Sequence, residues 1–111
     1  GVTVAYLIDP FTQSISEVNY SGDYKEICNH LQCDLFDVVY INRENDCVFI
    51  DDEGLFKENQ TFFKVSGYPE PLAGRGLVLG TTEDGDSCSP MLSIEELRSM
   101  VSFPILVAGY I

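Results

Sequence analysis

Basic residues are scarce in this chain. Lys and Arg number 6 against 18 Asp and Glu, a formal net charge of −12. A surface that grips a phosphate backbone needs the opposite balance, so direct nucleic-acid binding is not expected. There is one histidine, His30. It is two residues from Cys28, so the two do not share a helix face, and no base–nucleophile pair is legible. The chain is therefore not expected to be an enzyme. The four cysteines, Cys28, Cys33, Cys47 and Cys88, do not have the spacing of a secreted disulfide framework. Free thiols and a reducing compartment follow from that reading. No apolar run approaches a membrane span, and no signal-peptide pattern, repeat, low-complexity tract or linker is present. The first residue, Gly1, is read as an expression scar or a processed start and is set aside.

What is present is ordinary globular material. The chain has 111 residues, 45% of them apolar, enough for one domain with a core that needs no staple. Val2–Ile8 is almost wholly apolar and reads as a central strand. Asp9-Pro10-Phe11-Thr12 is a turn, and Ser14–Tyr20 a hairpin partner. Ile15 and Val18, three apart, break the alternation and leave room for a bulge. Asp23 and Glu26 form a capping box for a helix ending near Gln32, with Tyr24, Ile27, Cys28 and Leu31 on one stripe.

Phe36–Ile41 and Cys47–Ile50 read as a second hairpin around the polar turn at residues 42–46. Gly54 is the natural residue for a left-handed turn at its end. Leu55–Gln60 favours neither helix nor strand, and Thr61–Val65 fits a short strand or the end of a brief helix. The prolines of Tyr68-Pro69-Glu70-Pro71 rule out a central strand there, whereas Arg75–Leu79 reads as one. Gly80–Pro90 is an acidic loop. Ser93 and Glu96 form a second capping box for a helix with Ile94, Leu97, Met100 and Val101 inward, limited by Pro104. The apolar segment from Phe103 to Ile111 reads as an edge strand or a tail, with a homodimer contact as one use for it. The resulting expectation is a single α+β domain over residues 1–111, a mainly antiparallel sheet with two short helices packed on one face.

The order of several segments resembles a family. They are Leu7-Ile8-Asp9-Pro10, Cys33-Asp34-Leu35-Phe36-Asp37-Val38-Val39, Asp51-Asp52-Glu53-Gly54-Leu55, and the stretch Gly67–Gly80. Together they resemble a small domain of unknown function common in bacteriophages and mobile elements and sometimes found near antirestriction proteins. The resemblance spans about residues 2–92, leaving the helix and tail at 93–111 beyond it. It implies a viral or mobile-element protein acting in a bacterial cytoplasm, and it carries over no catalytic residue.

Three constellations invite chemistry. Cys28, His30 and Cys33 lack a fourth ligand in metal-site spacing, and the two cysteines read as core residues. Asp51-Asp52-Glu53 point alternately to opposite faces and lack calcium-loop spacing, so no metal and no cofactor is expected. Gly74-Arg75-Gly76 precedes a strand rather than opening a helix. It fails as a dinucleotide loop and keeps only the weaker reading of a backbone nest for an anion.

Residues 34–58 concentrate Asp34, Asp37, Glu44, Asp46, Asp51, Asp52, Glu53 and Glu58. Carboxylates two apart on a strand stand about 6.6 Å apart, a spacing that imitates a row of phosphates. The leading expectation is an acidic accessory protein that binds a basic surface on a host protein, a defence system or a nucleic-acid enzyme. Its contact residues would be Asp46, Asp51, Asp52 and Glu53, with Phe56 and Tyr68 as aromatic anchors. A nucleotide-binding sponge using Gly74, Arg75 and Gly76 is the second expectation, and a virion structural or assembly role the third.

Overall fold

The structure is a computed structural model that describes residues 3–41, 45–57 and 60–104. Strands β1 (Thr3–Asp9) and β2 (Ser14–Tyr20) form the first hairpin, and helix α1 (Tyr24–Leu31) follows. Strands β3 (Phe36–Tyr40) and β4 (Cys47–Asp51) form the second hairpin, and a single 3-10 turn spans Gly54–Phe56. Strands β5 (Phe62–Val65), β6 (Leu72–Ala73), β7 (Gly76–Thr81) and β8 (Ser87–Cys88) lead to helix α2 (Ile94–Met100) and strand β9 (Val101–Ser102). The main sheet has the order β2-β1-β7-β4-β3, with β8 continuing from β7, and every pairing is antiparallel. A small second sheet has the order β6-β5-β9.

Strand β7 holds the centre because its side chains suit burial on both faces. Leu77, Val78 and Leu79 are all fully buried. Each such aliphatic side chain contributes about 1.5–3 kcal/mol relative to exposure. Alternation along the strands divides the core in two. Ala5, Cys47, Phe49, Leu77 and Leu79 pack with Ile27 and Leu31 of α1. Tyr6, Ile8, Ile15, Val48 and Val78 pack with Leu97 of α2 and with Phe63, Val65 and Leu72 of the small sheet. The two helices therefore cover opposite faces of the main sheet, which corrects the one-face expectation. The physical reason is that the sheet is apolar on both sides and needs a cover on each.

Other local expectations also shift. The β1–β2 register runs without interruption from Thr3↔Tyr20 to Asp9↔Ser14, so there is no bulge. Asp23 caps α1 by accepting from the Lys25 N–H, but Glu26 reaches back to Ser21 rather than closing a box on Asp23. Tyr24 is exposed, and the buried stripe is Ile27 and Leu31. Gly54 does not adopt a left-handed conformation. Its lack of a side chain allows close approach to Ala73, whose carbonyl oxygen would lie 3.0 Å from an added Cβ.

Residues 61–65 resolve in favour of the strand, β5. Gly80 and Thr81 belong to β7, and the acidic loop is the turn of the β7–β8 hairpin, with Gly85 at φ +88°. The Ser93–Glu96 capping box is present in full. Val101 lies in β9, beyond the helix end, where it pairs with Val65. Phe103 packs against the core. Residues 105–111, where most of the dimer expectation falls, lie outside the described residues.

Candidate functional site

The acidic residues singled out in the sequence separate into two groups. Asp46 is fully buried, not part of a contact surface. Its Oδ1 accepts the Met91 N–H at 2.8 Å and its Oδ2 the Leu92 N–H at 3.0 Å. The Tyr6 hydroxyl donates to the Leu92 carbonyl at 3.0 Å, and burial pushes that phenol above its ordinary value. These groups anchor the segment that leads into α2. Asp51 is also buried. It pairs with the Lys57 ammonium and accepts the Glu53 N–H at 2.9 Å. Lys57 donates in addition to the Gln32 carbonyl at 3.1 Å, which ties the end of β4 to the C-terminus of α1. Both expectations for Asp46 and Asp51 as contact residues are corrected, because a carboxylate taken out of water must be satisfied from within.

Asp52, Glu53 and Phe56 are exposed, Phe56 at 85%. Tyr68 is half-buried and packs on the core beside Leu72 and Ile50. Its position follows from a turn in which the Tyr68 N–H donates to the Val65 carbonyl at 3.2 Å, with Gly67 at φ +95°. That turn folds the proline-rich loop back against the β3–β4 hairpin. Between them lies a cavity of about 180 Å³, lined by Asp37, Asp51, Asp52, Glu70 and Tyr68, with Ile50 and Leu72 among its apolar walls. No Lys or Arg is among the described residues that line it. Asp51 is paired with Lys57, so Asp37, Asp52 and Glu70 are the other acidic residues around this cavity. Asp37 also caps its neighbour, accepting the Val38 N–H at 2.8 Å. Asp37 was visible as part of an acidic row. Glu70 was not singled out, because its arrival depends on the Gly67 turn.

The glycine–arginine stretch is built differently from a nest. The Gly74 N–H donates to the Thr61 carbonyl at 2.8 Å, and Gly76 sits in the sheet paired with Ile8 and Ile50. Arg75 pairs with Asp9 at 3.4 Å and lies 4.9 Å over the Phe11 ring. Gly74 and Arg75 line a cavity of about 90 Å³ together with Lys57, Gln60 and Phe11. Gly76 is not one of its lining residues.

A more open cleft of about 530 Å³ lies beside α1, lined by Tyr24, Lys25, Cys28, Cys33, Asp34 and Phe36 among others. Sequence reasoning treated its two cysteines as core. No group of three or more His, Cys, Asp or Glu among the described residues has the arrangement of a metal site. No helix among the described residues is long and apolar enough to cross a membrane.

Comparison with known proteins places the chain in a family without assigning it a reaction. An uncharacterized protein, y4iR, of Sinorhizobium fredii (strain NBRC 101917 / NGR234) is 30% identical over 95 residues, covering 84% of this chain. The chain spans 58% of that relative's length. No solved structure matches the chain. The model of a family described as a domain of unknown function, DUF3846, matches residues 2–102, a span that takes in α2 and β9. The chain belongs to the DUF3846 family.

Proposed function

We propose that the protein is an acidic binding module, of bacteriophage or mobile-element origin, that engages a basic patch on a host protein and modulates it. The observation that supports this reading best is the cavity of about 180 Å³ with Asp37, Asp52 and Glu70 around one opening and the Tyr68 ring beside them. A Lys or Arg side chain of a partner fits such an opening. Its charge meets carboxylates, and its aliphatic or planar stem lies against an aromatic ring. Glu53 and Phe56 are exposed around a 3-10 turn whose Gly54 packs against Ala73, a residue that lines the cavity. The net charge of −12 would steer such a partner from a distance.

Affinity capture from bacterial lysate at low and high salt tests the proposal. A partner should be retained at low salt and lost at high salt. Asp52→Asn and Glu70→Gln together should weaken capture, and Tyr68→Ala should lower affinity by about tenfold or more. A capture profile unchanged by salt and by all three substitutions would sink the reading.

A second reading has one observation in its favour. Arg75 and Lys57 both line the cavity of about 90 Å³ next to Gly74. That space suits a small inorganic anion rather than a nucleotide, and both cations already hold carboxylates. A thermal-shift series with phosphate, sulfate and nucleotides separates the cases. A shift with nucleotides alone would restore the sponge, and no shift with any of them removes both.

A further inference from the structure

Helix α1 ends in a way that places two cysteines together. Gln32 adopts a left-handed conformation at φ 56°, and both its N–H and that of Cys33 turn back to the Cys28 carbonyl, the latter at 3.1 Å. The backbone bond holds residues 28 and 33 together, and the Cys33 thiol is within hydrogen-bond reach of the Cys28 thiol, the kind of proximity from which a disulfide, about 4.4–6.8 Å between Cα atoms, can close. Both side chains are half-buried and line the same open cleft of about 530 Å³. Cys47, in contrast, is buried in the sheet with its thiol directed at the Leu79 carbonyl, and Cys88 lies on β8.

We infer that Cys28 and Cys33 form a thiol pair that oxidises reversibly to an intramolecular disulfide at the mouth of this cleft. The two thiols are not equivalent. Burial first, and the adjoining Cys28 thiol second, push the Cys33 thiol up to about 12, so it carries little thiolate at neutral pH. Cys28 lines the cleft from the same helical face as Lys25, three residues earlier, and its thiol makes a weak 3.6 Å contact to the Asp34 carbonyl.

In the proposed exchange Cys28, on the helical face that also carries Lys25, is the thiol that attacks first. With a low-molecular-weight disulfide as oxidant, the Cys28 thiolate bonds to one of its sulfurs and the S–S bond breaks. The departing thiolate takes up the proton that Cys28 lost. Cys33 then attacks the Cys28 sulfur, gives up its own proton, and expels the second small thiol. Two protein thiols are oxidised, and one small disulfide is reduced to two thiols. Closure removes the Cys28 thiol from the Asp34 carbonyl and fixes the end of α1 against the segment leading to Phe36. Tyr24 and Phe36, with ring centroids 6.1 Å apart, flank that point.

Equilibration of the full chain with oxidised glutathione, followed by thiol alkylation and peptide mass spectrometry, tests this. The peptide carrying residues 28 and 33 should lose two hydrogens and escape alkylation, while Cys47 and Cys88 remain alkylated. Cys33→Ser should stop at a glutathione adduct on Cys28. Cys28→Ser should leave Cys33 several-fold less modified than Cys28 is in the converse variant. Two alkylated thiols at 28 and 33 after equilibration, or pairing of either with Cys47 or Cys88, would overturn the inference. Equal adduct formation in the two single variants would overturn the assigned order of attack.

Discussion

The Asp46 carboxylate, immediately before β4, receives the backbone N–H groups of Met91 and Leu92, forty-five and forty-six residues away. One buried side chain thus fixes the path of the chain into α2, whose Leu97 closes the core on that face. Asp46→Ala would leave two amide donors without that acceptor. The Leu92 donor is buried and the Met91 donor only partly so; an orphaned buried donor costs about 1–3 kcal/mol, so the variant should lose about 2 kcal/mol in chemical denaturation. Asp46→Asn should lose less, since its carbonyl oxygen still accepts one of the two bonds. An Asp46→Ala variant within about 0.5 kcal/mol of the parent would show that the carboxylate does not hold this junction.

Gly76 is a packing residue. A Cβ there would lie 2.7 Å from the Phe63 ring and 2.9 Å from a Val48 methyl, and both neighbours are fully buried. Gly76→Ala should therefore destabilise by about 1–3 kcal/mol through overpacking. Phe63→Leu shortens the side chain that would be struck. The double variant should be more stable than the sum of the two single losses predicts, by about 0.5 kcal/mol or more. Strict additivity in equilibrium unfolding would count against the contact.

Much of the fold could be read from residue patterns because local chemistry decided it. The Ser93–Glu96 capping box, the unbroken apolar run at 77–79 and the polar break between β3 and β4 each act within a few residues. The face covered by each helix was not legible, since α1 and α2 are each amphipathic and either side of an apolar sheet would accept them. The candidate site was legible as acidity and as Tyr68, not as a cavity. Nothing local distinguishes Asp46 and Asp51, drawn inward by Met91, Leu92 and Lys57, from Asp52 and Glu53, which stay in water. Nor does composition bring Glu70 to Asp37, because that meeting depends on a chain reversal at Gly67.

Glu26 links β2 to α1, accepting the Ser21 N–H and the Ser21 hydroxyl, both at 2.8 Å. The Ser21 backbone bond, and then its hydroxyl, hold the Glu26 carboxyl below its ordinary value of 4.5. A depressed folded-state value stabilises above the unfolded one, and that contribution fades as pH falls through the folded one. Glu26→Gln should therefore be less stable than the parent at neutral pH and converge with it at acid pH. Unfolding of both proteins across the acid range checks this. A gap that stayed constant to the lowest pH would assign the difference to packing instead of charge.

Lys57 closes the other end of α1. It pairs with buried Asp51 and donates to the Gln32 carbonyl, and the Asp51 interaction raises its amine above the ordinary 10.5. Lys57→Met should expose the cost of leaving Asp51 without its cation. The lysine is nearly half exposed, so solvent screening limits the loss to about 1 kcal/mol. The sign with pH is opposite to that of Glu26. A raised folded-state value gives full stabilisation below the unfolded value, and the stabilisation is lost as pH rises through the folded one. The parent should accordingly converge with Lys57→Met only in strong alkali, while neutral-pH unfolding keeps them apart. Equal stability at neutral pH would mean that Asp51 is satisfied by the Glu53 N–H and its other surroundings without the ion pair.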